Sequence, residues 1–198
     1  MDRQKEQRAV PSPDLELVAR ARRGNREAFR ELVERYQRKV AALAVGMLRN
    51  REDALDIVQD TFTKAYQSLD KFKGDSSFYT WVYRIAVNLC IDHQRREGRY
   101  VQLGADLEDA GDEIAPPSAE DLEQDEPYDR ARSREIGSRV SAAINELTPE
   151  HRAVILLREV DGLSYEEISQ VLECPKGTVM SRLHYARRQL QVRLTGLR

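Results

Sequence analysis

Residues 99–131 hold 11 acidic and 2 basic residues, include Pro116-Pro117, and show no sustained periodicity. A stretch so acidic and so poor in apolar residues cannot bury enough surface to form a core of its own. It predicts a flexible acidic linker. On both sides of it the apolar residues recur at helical spacing, with almost no strand pattern. The fold expected is therefore all-α, as two small helical domains over residues 14–98 and 132–198 joined by that linker. A length of 198 residues accommodates two such units.

The same stretch changes what the net charge means. A formal charge of −2 for the whole chain argues against nucleic acid as a partner. Yet residues 1–98 carry 19 basic and 15 acidic residues, and residues 132–198 carry 11 and 8. Two mildly basic domains flank an acidic tether, so the total excludes nothing about DNA.

In the first domain, Asp14 is placed to cap a helix that Gly24 stops, and Asn25 to cap the next. From Ala28 to Leu48 the apolar residues keep helical period. A third helix runs from about Glu52 to Leu69, and a fourth carries Phe78, Trp81, Val82, Ile85, Ala86 and Leu89. On the third, Asp53, Asp56, Gln59 and Asp60 lie away from Ile57 and Phe62. Like charges at this spacing repel, which a basic protein partner relieves and a solvated surface only tolerates. The segment from Phe72 to Tyr83 packs five of the chain's thirteen aromatic residues around a Gly/Ser loop. Such residues serve as core, with Phe78 and Trp81 the first candidates, or as platforms for unstacked bases. Beyond the loop, Arg84, Asn88, Asp92 and Arg95 form a polar stripe along one helix.

In the last domain, Thr148-Pro149 opens a helix that Gly162 ends, and Ser164-Tyr165-Glu166-Glu167 is a capping box. Glu173-Cys174-Pro175 makes a tight turn before a final long helix, which is the outline of a helix-turn-helix. In that helix Val179, Leu183, Ala186 and Leu190 share one side, and Gly177, Ser181, His184, Tyr185 and Arg188 face away from it. Lys176 to Arg198 contains six basic residues and no acidic one. A buried apolar stripe opposite a hydrogen-bonding face without carboxylates suits the major groove, with Arg182, Arg187 and Arg193 available for phosphates.

Other chemistry has little support. Asp106, Glu108 and Gly111 only faintly suggest a calcium loop, and His93 and His151 lack metal-ligand spacing, so no metal or cofactor is expected. Cys90 and Cys174 sit in no CxxC and read as reduced thiols of a cytoplasmic protein. The N-terminus lacks the apolar stretch of a signal peptide, and apolar runs such as Ala41 to Leu48 fall far short of the ~20 residues of a membrane span. With no nucleophile–base pair and no phosphate-binding loop, an enzyme is not expected.

Three stretches in this order resemble the bacterial extracytoplasmic-function (ECF) sigma factors of the sigma-70 family, particularly the envelope-stress group. They are EDALDIVQDTF at 52–62, FKGDSSFYTWVYRIAVN at 72–88 and LREVDGLSYEEISQVLECPKGTVMSRLHYARRQL at 157–190. The resemblance implies a dissociable RNA polymerase subunit that recognises promoter −35 and −10 elements. It implies that Asp53, Asp56, Gln59 and Asp60 dock on a coiled coil of the polymerase's largest subunit, with a second contact at the flap. Lys73, Asp75, Ser76, Ser77, Phe78, Tyr79 and Trp81 match the element that captures a flipped −10 base, extended by Asn88, Asp92 and Arg95. Lys176, Gly177, Thr178, Ser181, Arg182, His184, Tyr185 and Arg188 match the reader of the −35 duplex. Family members commonly carry Arg where Met180 stands, and positions 184 and 185 vary among them, so the exact −35 sequence does not carry over. The family also implies an anti-sigma partner, often membrane-anchored. A helix-turn-helix regulator that never joins the polymerase is the competing reading.

The two promoter elements lie ~85 Å apart, at 3.4 Å per base pair over about 25 pairs. A 33-residue linker reaches ~110 Å extended but relaxes to ~32 Å as a coil. It spans the gap only if basic channels of the polymerase hold it. Neutralising its acids is expected to weaken run-off transcription while leaving both domains folded by circular dichroism; unchanged initiation contradicts this role.

Overall fold

The computed structural model describes residues 13–48, 50–103 and 127–195, with side chains over 13–48, 50–98 and 135–195. Among these residues every regular element is helical, as the sequence predicts. Helix α1 spans Pro13–Arg22, α2 Arg26–Met47 and α3 Arg51–Gln67; a 3-10 turn at Leu69–Lys71 leads to α4, Phe78–Leu103. The second unit holds α5 Pro127–Asn145, α6 Pro149–Ile155, α7 Tyr165–Val171 and α8 Lys176–Arg193.

Most helix starts follow from local chemistry. The Asn25 side chain accepts the Ala28 N–H at 3.0 Å, and Asn50 accepts that of Glu52 at 2.8 Å. In the capping box, Ser164 accepts the Glu167 N–H while Glu167 accepts that of Ser164 at 2.8 Å. Asp14 differs from its expected capping role. It lies inside the first turn of α1 and reaches α2 instead, bonding Arg35 and the Tyr36 hydroxyl.

Helix α4 continues to Leu103 and α5 starts at Pro127, so helix enters the expected linker from both sides. The calcium-like residues Asp106, Glu108 and Gly111 lie outside the described residues. The chain between α4 and α5 is 23 residues. Its extended reach is at most ~80 Å, slightly less than the promoter spacing.

The two units share one continuous core. Helix α4 buries Phe78, Val82, Tyr83, Ala86, Val87 and Cys90, and it packs on α2 and α3 on one side and on α6 and α7 on the other. Helix α6 runs on as a π-helical turn at Leu156–Val160, which meets α2. The approach is close at Gly46, where a Cβ would stand 2.9 Å from the Leu156 side chain and displace its methyl groups.

One side chain closes this junction. The Arg152 guanidinium is buried and donates to the carbonyls of Ile144 at 3.2 Å, Asn145 at 2.5 Å and Leu147 at 3.2 Å. These belong to the end of α5 and the turn after it, where carbonyls lack helical partners. The same guanidinium crosses to the Met47 carbonyl at the end of α2, at 2.5 Å. Gln94 of α4 donates to that carbonyl as well. Arg152→Met is expected to lower stability by about 3 kcal/mol, since it strips charged hydrogen bonds from buried carbonyls. Arg152→Lys is expected to recover little, because an ammonium lacks the planar fork. Urea unfolding checks both; a loss below about 1 kcal/mol for Arg152→Met contradicts this role.

Candidate functional site

Three surfaces carry the residues singled out by the sequence. On α3, Asp56, Gln59 and Asp60 are exposed together, as their spacing predicts. Asp53 stands apart from them. It is half-buried, and its carboxylate lies 3.3 Å from His93 Nε2 of α4, which is also 3.3 Å from Glu97. Beside Gln59 an apolar groove of about 510 Å³ opens between α2 and α3, lined by Phe29, Val33, Leu55, Val58 and Tyr66. No charged or catalytic signature in the sequence marks this groove. The available signal was Leu55, an apolar residue on the side of α3 opposite Ile57 and 57% exposed.

The aromatic loop is held from below. Arg22 of α1 donates to the carbonyl of Leu69 at 3.0 Å and to that of Phe72. Gly74 turns the chain at φ +82°, a conformation suited to glycine. Ser77 accepts the Thr80 N–H at 3.0 Å and so caps α4. Phe72, Phe78 and Trp81 form a mutual cluster with ring centroids 5.3–5.9 Å apart. Phe78 is 1% exposed and Trp81 6%, so both act as core pillars in this arrangement. Tyr79 is half-buried between Tyr36 and Tyr83, with Lys39 over its ring, and burial pushes its hydroxyl up to about 12. The exposed surface of the loop consists of Lys73, Gly74, Asp75 and Ser77, with Ser76 half-exposed.

Along α4 the polar stripe divides. Asn88 and Asp92 are exposed. Arg84 pairs with Glu173 at 3.3 Å and Arg95 with Glu150 at 3.4 Å, both acids coming from the second unit. Tyr83 is fully buried and donates to Asp161 at 3.0 Å. A second cavity, about 470 Å³, lies between the loop and α7, with Lys73, Ser76, Trp81 and Arg84 on one wall and Gln170 and Glu173 on the other. The second unit therefore covers part of the surface expected to meet melted DNA.

Helix α8 presents Lys176, Gly177, Ser181, His184, Tyr185 and Arg188 at the surface, with Thr178 half-buried and Met180 exposed beside them. Its buried stripe is Val179, Leu183 and Ala186. Not every cation of this helix faces outward. Arg187 binds Glu159 at 2.6 Å, Arg193 binds Glu146, Lys176 pairs with Glu166, and half-buried Arg182 points toward Cys174. Arg187 and Arg193, expected as phosphate contacts, serve here as ties to α6 and its flanking turns. Among the described residues, no helix is long and apolar enough to cross a membrane.

Comparison with known proteins agrees with this layout. Residues 32–100 match the family described as Sigma-70 region 2, and residues 138–190 match Sigma-70, region 4. The chain is 40% identical to the RNA polymerase sigma-H factor of Pseudomonas aeruginosa, over 93% of this chain and 95% of that protein. It is 42% identical to the ECF RNA polymerase sigma-E factor of Escherichia coli K12, over 88% and 90% respectively. Among solved structures, it resembles the sigma factor RpoE in complex with the anti-sigma factor NepR from Bartonella quintana. That match has a TM-score of 0.68 and 26% identity, and covers 86% of this chain and 98% of that one. CnrH in complex with the cytosolic domain of CnrY gives a TM-score of 0.67 at 28% identity, covering 92% and 97%.

The contact between the units is expected to depend on pH. Burial raises the Asp161 carboxyl above its ordinary value, against the opposing Tyr83 hydrogen bond and Lys39. A raised acid binds its proton more tightly when docked than when the units part, so docking strengthens as pH falls through the docked value and weakens above it. Asp161→Asn keeps the acceptor for Tyr83 and removes the titration. Small-angle scattering from pH 4 to 7 is expected to show expansion with rising pH in the natural chain and a flatter profile in the variant. Equal profiles contradict the assignment.

Proposed function

The chain belongs to the extracytoplasmic-function group of the sigma-70 family, and from that premise we propose how its surfaces divide the work of a sigma factor directing transcription initiation. Residues 14–98 form the unit that docks on core polymerase and handles the −10 element, and residues 132–198 form the unit that reads −35. Asp56, Gln59 and Asp60, exposed on one face of α3, are the docking residues for a basic coiled coil of the polymerase. Asp53 joins them from its place beside His93. The groove at Leu55 and Tyr66 extends this acidic surface with an apolar one.

On the −10 side, Lys73, Asp75, Ser76 and Ser77 supply the accessible contacts, with Asn88, Asp92 and Arg95 along α4. Phe78 and Trp81 shape the floor of the base pocket from within the core, with half-buried Tyr79 beside them. On the −35 side, Lys176, Gly177, Thr178, Ser181, His184, Tyr185 and Arg188 line the face of α8 that enters the major groove, and half-buried Arg182, turned toward Cys174, flanks it. The chemistry of initiation resides in the polymerase, and this chain contributes binding and melting without a catalytic group of its own. It works in the cytoplasm, where core polymerase and promoter are found.

The closed contact supports a further step. With Arg84 and Arg95 engaged by Glu173 and Glu150, the free chain holds its two DNA-binding units together. Promoter elements ~85 Å apart require those units to separate. Core polymerase drives the opening by binding α3 and the second unit at distant points. An anti-sigma protein, of the kind bound to RpoE in the solved complex with NepR, would favour the closed form.

The exposed trio on α3 carries this reading, and Asp60→Arg tests it. The variant is expected to bind core polymerase at least ~10-fold more weakly, since a cation replaces an anion facing a basic partner, and to lose run-off transcription in proportion. Natural holoenzyme formation by the variant would sink the docking assignment, and failure of the natural chain to form holoenzyme would favour a regulator acting alone.

A further inference from the structure

Tyr185 occupies the shoulder of α8, between its outward face and α6. Its ring packs against His151 of α6, with centroids 4.7 Å apart and planes inclined by 39°. His151 is anchored through Nδ1 to the Thr148 hydroxyl at 2.6 Å. Burial and the nearby Arg182 hold the imidazole below its ordinary pKa, so the ring meets Tyr185 uncharged at neutral pH.

The hydroxyl of Tyr185 is the end of a directed chain. Glu146, just before α6, accepts from Arg193, and Arg193 in turn donates to the side-chain oxygen of Gln189. A guanidinium only donates, so it fixes which end of the amide faces it. The Gln189 amide nitrogen must then face outward along α8, where it donates to the Tyr185 oxygen at 2.6 Å. With that oxygen already accepting, the hydroxyl proton is directed away from Gln189. Tyr185 is 49% exposed, which leaves that proton open to a partner outside the protein.

We propose that Tyr185 is a preset hydrogen-bond donor for one acceptor of the −35 duplex, and that His151, Gln189, Arg193 and Glu146 are the positioning residues that set its direction. The proposal rests on the reading that α8 enters the −35 major groove. The acceptor is a purine N7, guanine O6, thymine O4 or phosphate oxygen, all of which a phenolic donor satisfies. A tyrosine in fixed orientation loses less entropy on binding than a free lysine or arginine, which suits it to discrimination.

The test uses the full chain in holoenzyme with core polymerase, and a duplex selected from a library randomised across −35. Fluorescence anisotropy compares that duplex with a scrambled one. Tyr185→Phe is expected to weaken binding to the selected duplex about 5- to 10-fold, the scale of one hydrogen bond; the scrambled duplex is spared where the acceptor is a base edge and loses alike where it is a phosphate. Gln189→Glu reverses the chain, because a carboxylate accepts from both Arg193 and Tyr185 and draws the hydroxyl proton inward. It is expected to cost more than Tyr185→Phe does alone, through added charge, but that excess alone should remain when both changes are combined. His151→Ala is expected to lose affinity for the selected duplex, and His151→Phe, which keeps a ring, to regain it. Duplexes with 7-deazapurines, with uncharged methylphosphonates, or with single base-pair exchanges locate the acceptor, since Tyr185→Phe costs nothing further on the duplex that lacks it.

A Gln189→Glu loss equal in the natural and Tyr185→Phe backgrounds is a charge effect and overturns the directed chain. Unchanged binding by Tyr185→Phe overturns the donor, as does a Tyr185→Phe cost that no duplex substitution removes. If the library yields no preferred duplex for the natural holoenzyme, the −35 reading itself fails.

Discussion

A single buried guanidinium joins the parts of this molecule. Arg152 places its charge against four main-chain carbonyls that helix ends leave without partners, three around the end of α5 and one at the end of α2. A charged, planar donor is strongly bound by such carbonyls and would be costly to bury without them. The bonds fix the α5–α6 turn and bring it to α2. The close passage of Leu156 over Gly46 and the packing of α7 on α4 follow from that placement. The two units, separate in sequence, thus share one core.

That shared core conflicts with the work the surfaces do. The contact pairs basic residues of α4 with acids of the second unit and buries Tyr83 against Asp161. Exposed pairs of this kind contribute little each, and Asp161 is held in an environment that penalises its charge. The apolar part of the interface holds it closed, while its polar part is easily exchanged for other partners. This balance suits a protein that is compact when free and extended on a promoter, with polymerase supplying the energy of separation. Separation costs the Arg152 link to Met47, whereas its bonds within the second unit are local and survive.

Much of this was legible in the residues. Local signals placed Asn25, Pro149 and the Ser164 box, and the phase of Asp56, Gln59 and Asp60 put them on one exposed face. Resemblance to a family supplied the roles. What the sequence concealed were contacts between residues far apart along it, such as Arg84 with Glu173, Tyr83 with Asp161 and Arg152 with Met47. No periodicity encodes such pairs. For the same reason Arg187 and Arg193, which read as phosphate ligands on a basic helix, proved tied to Glu159 and Glu146. Phe78 and Trp81, the first candidates for core in the aromatic segment, do lie buried beneath the loop. The acidic stretch reads as linker although α5 starts within it at Pro127, since charge alone does not prevent a helix.

The closed molecule is expected to open when it joins the polymerase. A pair of spin labels at the exposed positions Lys64 on α3 and Gln191 on α8, in a chain without other reactive thiols, measures this directly. A single short distance is expected for the free protein. On adding core polymerase and promoter it is expected to lengthen by tens of Å, toward the ~85 Å that separates the two elements. A distance that stays short in a transcribing complex would contradict the account.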